Sequence, residues 1–245
     1  MIDMVDTVMN DSEASKYVHG VAFHWYDEWG LNYDYLDQVN QKYPNLKLLA
    51  TEATNPRPLS ENIRSDIWTY GQKYATDILR DMNHMTCGWI DWNMLLDIRG
   101  GPSSQHIGQN TKLNDLGNCD SPIRLNGTIY PVIDDDKYQN GDMNLFYQPS
   151  YWFYGHFARF ISRGSFKISS SQEPPPSSPQ AHTGLSTSLE SIAFMNNKDI
   201  VVIVTNFVDE KKKYSIDIVN VGSVIIEIPA QAAQTLIIPI ADNSE

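Results

Sequence analysis

The chain has 245 residues, of which 41% are hydrophobic and 11% aromatic, so it can form one large domain or two small ones with packed cores. Its formal net charge is −12, from 18 basic and 30 acidic side chains. This acidic balance argues against a nucleic-acid partner, because nucleic-acid binding depends on Lys and Arg contacts to phosphates. The sequence also contains no apolar run of about 18 residues, the length that a transmembrane helix needs.

The cysteines and the acidic runs give little support for a disulfide scaffold or a metal site. Cys87 and Cys119 either pair or remain free, and two cysteines in a chain of this length do not make a scaffold. No C-x-x-C or His/Cys cluster indicates zinc, and the acidic run 134–136 is interpreted as a solvated loop. Residues 1–5 lack the regions of a signal peptide, so either the protein is cytosolic or its true N-terminus is missing.

Strand patterns alternate with helical patterns in the first part of the chain. Runs of β-forming or apolar residues bounded by polar turns predict strands over 18–26, 46–52 and 87–93. Apolar residues at helical spacing predict helices over 35–43 and over 61–82. We expect a parallel sheet, because only a long crossover returns the chain to the same end of a sheet.

Polar and aromatic side chains follow the predicted strands where each strand ends. The carboxyl ends of parallel strands lie at one edge, where α/β proteins carry their chemistry. The groups at those ends are His24, Trp25, Tyr26, Glu52, Trp92 and Asn93. Glu52 closes an apolar run, so its carboxylate has lost water and needs either an ordinary cationic partner or a chemical role. Three consecutive strand ends with such groups predict a functional site.

The middle of the chain is predicted to be less regular. Residues 99–142 are interpreted as a long loop, and loops of this length within a domain are functional or inserted. An amphipathic helix is predicted over 151–161. Residues 169–180, which are rich in Pro and Ser, are predicted to form a flexible insertion.

The last part of the chain has a different pattern, with short strands separated by polar turns. These strands are predicted over 191–195, 200–206, 214–219, 224–228 and 235–240. Such runs without intervening helices indicate an antiparallel sheet or part of a sandwich. We therefore predict an α/β part over 1–162 and a β-sandwich domain over 163–245.

Blocks of sequence distributed along the chain resemble one known family. They are 16–26, 49–53, 88–93, 100–102, 120–123 and 154–157. In this order they are similar to the C-terminal half of the glucosylceramidases, the acid β-glucosidases of glycoside hydrolase family 30. The resemblance implies strands six to eight of a (β/α)8 barrel beside a β-sandwich. It also implies retaining hydrolysis of the β-glucosidic bond of glucosylceramide, without a metal or cofactor.

The resemblance assigns roles to the residues at the strand ends. Glu52 is similar to the family's nucleophile, at the end of the seventh barrel strand. Tyr26 would then donate the hydrogen bond that stabilises the ionised nucleophile. Trp92 would offer a flat face to a sugar ring, and Asn93 would bind sugar hydroxyls. His24 is either an orienting residue or a satisfied core histidine.

Three further residues are assigned by the same resemblance. Asn118 is similar to an active-site Asn on the loop after the eighth strand, and it is a second candidate for binding sugar hydroxyls. That loop is longer here than in the family. Trp25 and Trp89 are expected to pack between the barrel and its helices.

One part of the family's machinery is absent from the sequence. Retaining hydrolysis needs two carboxyl groups about 5–5.5 Å apart, and the family's acid/base is a Glu in an Asn-Glu-Pro motif on the fourth strand. No such triplet occurs here, and residues 54–56 lack the carboxylate and follow the wrong strand. We therefore expect a fragment without the N-terminal half of the barrel. Its open strand edges would make the isolated chain poorly soluble or partly molten. Without the acid/base Glu, we expect it to be inactive alone.

Other functions remain open at this stage. A related hydrolase of the family would cleave β-glucan or xylan instead, and a non-catalytic remnant would bind carbohydrate without hydrolysis. An unrelated α/β protein is a further alternative. For the glucosylceramidase reading, the resemblance implies a lysosomal or secreted protein that contacts membrane surfaces through its lipid substrate.

Overall fold

A computed structural model describes residues 1–26, 33–55, 64–97, 119–126, 144–176 and 185–240. The first part alternates helices and strands as predicted. Its elements are α1 (Ile2–Met9), a 3-10 turn (Ser15–Tyr17), β1 (Gly20–His24), α2 (Asp34–Lys42), β2 (Lys47–Glu52), α3 (Arg64–Asn83) and β3 (Thr86–Trp89). The third strand ends at Trp89, four residues earlier than predicted, although the backbone past it still hydrogen-bonds to Ala50 and Ala53.

The three strands form one parallel sheet in the order β1-β2-β3, which confirms the predicted arrangement. Buried residues of β2 join the sheet to both neighbouring helices. Leu48 belongs to a cluster with Val39 of α2, whereas Ala50 belongs to a cluster with Tyr74 and Ile78 of α3. All three strands therefore end at one edge of the sheet. The burial of apolar side chains holds the sheet against the helices.

A second small sheet lies partly within the segment predicted to be a loop. It consists of β4 (Leu95–Asp97), β5 (Ile123–Asn126) and β6 (Asn144–Tyr147), with β4 parallel and β6 antiparallel to β5. The loop prediction is therefore wrong at β5. This four-residue strand has no sequence pattern of its own, since its pairing partners rather than its periodicity define it. The rest of the predicted loop lies outside the described residues.

The last part of the chain is β-rich after one helix. Its elements are α4 (Pro149–Phe160), β7 (Phe166–Lys167), β8 (Glu190–Met195), β9 (Asp199–Asn206), β10 (Lys212–Ile218), β11 (Gly222–Ile228) and β12 (Ala232–Pro239). An antiparallel sheet has the order β12-β9-β8-β7, and β10 and β11 form a hairpin. The five predicted strands and their antiparallel class are confirmed.

The sandwich part packs directly on the barrel part. One apolar cluster contains Ile78 of α3, Phe157 of α4 and both Ile192 and Ile203 of the antiparallel sheet. Beside it, Arg80 of α3 forms a buried ion pair with Glu190 of β8. These contacts fix α3 between the two parts of the fold.

The Pro-rich segment 169–180 is described up to residue 176. Gln172 accepts a hydrogen bond from Ser191 Oγ at 3.1 Å and donates one to the Leu189 carbonyl at 2.5 Å. Side-chain hydrogen bonds thus connect this part of the segment to β8 and the residue before it. The domain boundary at 162/163 and the flexible character of the insertion stay predictions.

Candidate active site

Glu52 is the last residue of β2, and the neighbouring strand β1 ends beside it at His24. The register of the two strands shifts between Phe23 and His24, so that Phe23 pairs with Ala50 whereas His24 pairs with Glu52. A shift of this kind changes the direction of the side chains at a strand end. As a result, His24 Nδ1 lies 3.9 Å from Glu52 Oε1, and the two side chains are 49% and 32% exposed. His24 is therefore a residue of the sheet edge and not a core histidine.

Tyr26 lies two residues beyond β1, on the same edge as Glu52. Its ring packs edge-to-face on His24, with the ring centroids 5.9 Å apart. Partial burial, then the negative charge of Glu52 and a hydrogen bond with its carboxylate, raise the pKa of Tyr26 well above its usual range. The hydroxyl therefore keeps its proton and faces Glu52 as a hydrogen-bond donor. A donated hydrogen bond stabilises the charge of a carboxylate that has lost part of its water.

The chain after β3 continues along the end of β2, although it is no longer a strand. Trp92 N–H donates to the Ala53 carbonyl at 3.0 Å, which holds this backbone beside Glu52. The Trp92 side chain is 47% exposed, so its ring has a surface available to a ligand. Asn93 Nδ2 is buried and has no hydrogen-bond partner among the described residues. An unpaired amide donor next to an exposed indole is suited to binding a polar, flat ligand.

The two other tryptophans of the strand ends pack in the core, as expected. Trp89 is 7% exposed, and its Nε1 donates to Asp77 Oδ2 at 2.8 Å. Trp25 packs edge-to-face on Tyr74 and on Trp89, with centroid distances of 5.2 and 6.5 Å. These rings support the edge from below rather than line it.

A buried anchor that the sequence analysis missed attaches the segment before β5 to the end of β2. Asp120 N–H donates to the Asn55 carbonyl at 2.9 Å, and Thr54 Oγ1 donates to the Asp120 carbonyl at 3.0 Å. The buried Asp120 carboxylate accepts hydrogen bonds from Arg124 at 3.0 and 2.6 Å. The signal was an Asp and an Arg four residues apart, but this spacing is informative only after β5 is known.

This anchor places Cys119 close to the site. Burial, then the negative charges of Glu52 and Asp120, raise the pKa of the Cys119 thiol. Cys119 and Cys87 are both free thiols, which settles the question that the sequence left open. Asn118 precedes Cys119 but lies outside the described residues, so its role stays a prediction.

Asp91 is a second residue that the sequence analysis did not single out. Its Oδ1 accepts hydrogen bonds from Tyr74 Oη and from Trp92 N–H, both at 2.9 Å. Its Oδ2 is buried and has no hydrogen-bond partner among the described residues. Burial, assisted by the nearby Asp120, raises the pKa of Asp91 to about 7 against the opposing effect of these two donors. The signal was present, since Asp91 interrupts an apolar run just as Glu52 does.

The described ranges contain no group of three or more His, Cys, Asp or Glu side chains that could hold a metal ion. In the same ranges, none of the helices has both the length and the hydropathy needed to cross a membrane. The expectation that the reaction uses neither metal nor cofactor stays a prediction.

Comparison with known proteins identifies both parts of the fold. Residues 2–113 match the glycosyl hydrolase family 30 TIM-barrel domain, and residues 164–236 match the glycosyl hydrolase family 30 beta sandwich domain. Among curated proteins, putative glucosylceramidase 3 of Caenorhabditis elegans is 28% identical over 95% of this chain and 38% of its own length. The lysosomal acid glucosylceramidase of Mus musculus is 29% identical over 94% of this chain and 39% of its own length.

Solved structures share the same architecture at lower identity. SrfJ from Salmonella typhimurium has a TM-score of 0.73 and 22% identity, over 96% of this chain and 44% of that chain. An endo-beta1,6-glucanase has a TM-score of 0.68 and 19% identity, over 94% of this chain and 42% of that chain. A family 30 endoxylanase from Clostridium papyrosolvens has a TM-score of 0.61 and 16% identity, over 98% of this chain and 54% of that chain.

The chain spans less than two fifths of the length of these two curated relatives. The matched domains confirm the predicted combination of a TIM-barrel part and a β-sandwich. Because two domains of one family together match most of the chain in the expected order, the chain belongs to glycosyl hydrolase family 30.

Proposed function

We propose that the protein containing this chain is a retaining β-glucosidase that hydrolyses the β-glucosidic bond of glucosylceramide, with Glu52 as its nucleophile. The observation that carries the proposal is the geometry around Glu52. Its carboxylate is partly exposed at the carboxyl end of β2, the protonated hydroxyl of Tyr26 acts on it from the same edge, and His24 Nδ1 lies 3.9 Å away. A nucleophile requires both an accessible oxygen and a stabilised charge.

In the first step, a Glu52 oxygen attacks the anomeric carbon while the bond from that carbon to the ceramide oxygen breaks. The ceramide oxygen takes a proton from the acid/base group, and a covalent glucosyl-enzyme forms. In the second step, the same group removes a proton from water, and the water oxygen displaces Glu52 from the anomeric carbon. Two inversions give net retention of the β configuration.

Each residue around Glu52 has a part in this scheme. Tyr26 holds the carboxylate oriented and charged until attack, and His24, whose Nδ1 lies 3.9 Å away, limits its movement. The exposed face of Trp92 stacks on the glucose ring. Asn93 and Asn118 on the following loop donate to sugar hydroxyls, and the buried Nδ2 of Asn93, which has no described partner, must turn toward the ligand to do so.

The acid/base group is proposed to come from a barrel segment outside these 245 residues, because the sequence has no Asn-Glu-Pro triplet. The 245-residue chain by itself is then inactive, and a barrel half that supplies this group is its required partner. Ceramide as the leaving group is supported by the names of the two curated relatives, both of which are glucosylceramidases. The name of the mouse relative also supports a lysosomal location and a role in sphingolipid catabolism.

A β-glucan or xylan substrate is the second candidate, because solved structures with the same fold include an endo-beta1,6-glucanase and an endoxylanase. Turnover of glucosylceramide, β-1,6-glucan and xylan by the native protein distinguishes these substrates. A non-catalytic carbohydrate-binding role is the third, and it is supported by the missing triplet. It predicts heat on mixing with glucosides without any hydrolysis.

The proposed function is tested by comparing Glu52→Gln with Glu227→Gln in the native protein that contains this chain. Glu227 lies on β11 with a partly exposed side chain, so its replacement is a matched control. We expect Glu52→Gln to reduce glucosylceramide hydrolysis by at least about 10⁴-fold, as for loss of a nucleophile, and Glu227→Gln to leave it unchanged. NMR of the first glucose released should show the β anomer. Equal activity of the two variants, or release of the α anomer, would overturn the proposal.

A further inference from the structure

Asp91 lies in the segment between β3 and the exposed Trp92, and it contacts two elements of the site. Its Oδ1 accepts the backbone N–H of Trp92 and the hydroxyl of Tyr74 on α3, both at 2.9 Å. Tyr74 is 1% exposed and packs in the core, so its hydrogen bond to Asp91 is shielded from solvent. Asp91 therefore ties the segment that presents Trp92 and Asn93 to a rigid part of the molecule.

The two oxygens of Asp91 are not equivalent. Both described donors reach Oδ1, whereas Oδ2 is buried without a described partner. A charged carboxylate oxygen buried in this way costs much more free energy than a neutral one, because its hydration is lost without replacement. A proton on Oδ2 would remove that cost and keep both hydrogen bonds to Oδ1.

The charged group that acts on Asp91 opposes a second negative charge. Asp120 acts on it from the segment before β5, and its negative charge opposes ionisation of Asp91. Tyr74 of α3, Tyr154 of α4 and Tyr26 beyond β1 face it with neutral hydroxyls, and the charge of Asp91 is felt at each of the three. An ionised Asp91 would therefore also act on Tyr26, the residue that donates to Glu52.

We propose that Asp91 is a positioning residue that works as a neutral carboxylic acid, holding the Trp92–Asn93 segment in place for the sugar without adding a negative charge that acts on Tyr26. The proposal rests on the proposed function of the same site. When Asp91 loses its proton, an uncompensated charge is buried at Oδ2 and the electrostatic potential at Tyr26 becomes more negative. The role is thus confined to the pH range in which Asp91 is neutral, below about 7.

The test uses Asp91→Asn, Asp91→Ala and Tyr74→Phe in the native protein that contains this chain. The readout is the pH profile of kcat/KM for 2,4-dinitrophenyl β-glucoside, whose leaving group departs without protonation. An acid/base group therefore does not determine the basic limb. Asp217→Asn is the matched control, because Asp217 is exposed on β10 of the sandwich part.

We expect Asp91→Asn to keep activity within about three-fold of wild type at pH 5 and to lose the fall in activity near pH 7. Asn retains the acceptor oxygen for Tyr74 and the Trp92 N–H but does not ionise. Asp91→Ala should lose at least about ten-fold, mainly through a higher KM, because the segment is released. Tyr74→Phe should move the basic limb to higher pH, since the hydrogen bond from Tyr74 favours the ionised form of Asp91.

Two results would overturn the inference while leaving the proposed function intact. One is a basic limb near pH 7 that persists in Asp91→Asn. The other is an equal loss of activity in Asp91→Asn and Asp91→Ala, which would show that the ionised carboxylate is required. Absence of any glucoside cleavage by the wild-type protein would instead refute the proposed function, and the positioning role with it.

Discussion

The carboxylate of Glu52 and the imidazole of His24 lie 3.9 Å apart because a register shift in β1 brings the last residues of two parallel strands side by side. Without the shift, the pairing of Phe23 with Ala50 would continue and His24 would pair with Thr51. The contact thus depends on backbone geometry at the sheet edge. Around it, Tyr26 supplies a hydroxyl to Glu52 and Trp92 supplies an exposed ring.

Replacement of Tyr26 by Phe should impair catalysis with little effect on stability. The variant removes the hydrogen bond to the Glu52 carboxylate, and hydrogen bonds to charged groups correspond to about ten- to hundred-fold in rate. Stability should change little because Tyr26 is 49% exposed. Steady-state kinetics with a β-glucoside and thermal unfolding measure both effects. Tyr17→Phe is the control, since Tyr17 is 82% exposed at the 3-10 turn. An unchanged kcat/KM in Tyr26→Phe would contradict the assignment.

Replacement of Trp92 by Ala should weaken sugar binding. Loss of the stacking face should raise KM about ten-fold, whereas Trp92→Phe should recover most of the affinity, because it restores an aromatic face. Trp152→Ala is the matched control, since Trp152 of α4 is also an exposed indole. Initial rates over a range of glucoside concentrations measure KM in each variant. An equal effect of both alanine variants would argue against a specific sugar contact at Trp92.

Replacement of Glu190 by Ala should destabilise the whole fold. It removes the buried carboxylate that pairs with Arg80 between α3 and β8, and breaking such a buried pair costs about 3–5 kcal/mol in the free energy of unfolding. Glu227→Ala should cost about 1 kcal/mol or less, because the Lys211–Glu227 pair is exposed. Urea unfolding followed by tryptophan fluorescence measures the difference. Similar midpoints for the two variants would show that the buried pair does not hold the two parts together.

Asp91 gives a stability prediction whose sign depends on pH. Its pKa is raised from 3.8 to about 7 in the folded protein, so the folded state binds a proton that the unfolded state releases above pH 4. Stability should therefore fall as pH rises between about 4 and 7, by at most about 4 kcal/mol. Asp91→Asn removes this loss. The melting temperature of Asp91→Asn relative to wild type should rise across this range and level off above pH 7. A difference that is constant with pH would show that Asp91 is ionised throughout.

The sequence was sufficient to predict the parallel sheet and the shared edge of its strands. Strands that alternate with helices are joined by long crossovers and therefore run parallel. The carboxyl ends of β1, β2 and β3 were thus expected to lie at the same edge of the sheet. Glu52 was identifiable because a carboxylate at the end of an apolar strand is energetically unusual. The packed positions of Trp25 and Trp89 were expected from the family resemblance.

The missed features depend on contacts between distant segments. β5 is a short strand defined by its pairing with β4 and β6, and its own four residues carry no periodic signal. The buried Asp120–Arg124 pair becomes meaningful only once β5 is known. The sequence analysis extended β3 beyond Trp89 because apolar and aromatic residues continue past it. The strand nevertheless ends at Trp89, and the carboxylate of the following Asp91 contacts Tyr74.

The most direct test of the account is to identify the residue that carries the covalent glucosyl intermediate. 2,4-Dinitrophenyl 2-deoxy-2-fluoro-β-glucoside should label the native protein that contains this chain, because its leaving group needs no acid and the fluorine slows release from the enzyme. Trypsin releases Glu52 within residues 48–64, and fragmentation separates it from Glu61 in the same peptide. We predict a fluoroglucosyl group on Glu52 and none in the Glu52→Gln variant. A label on another carboxylate, or an active enzyme that is never labelled, would contradict the account.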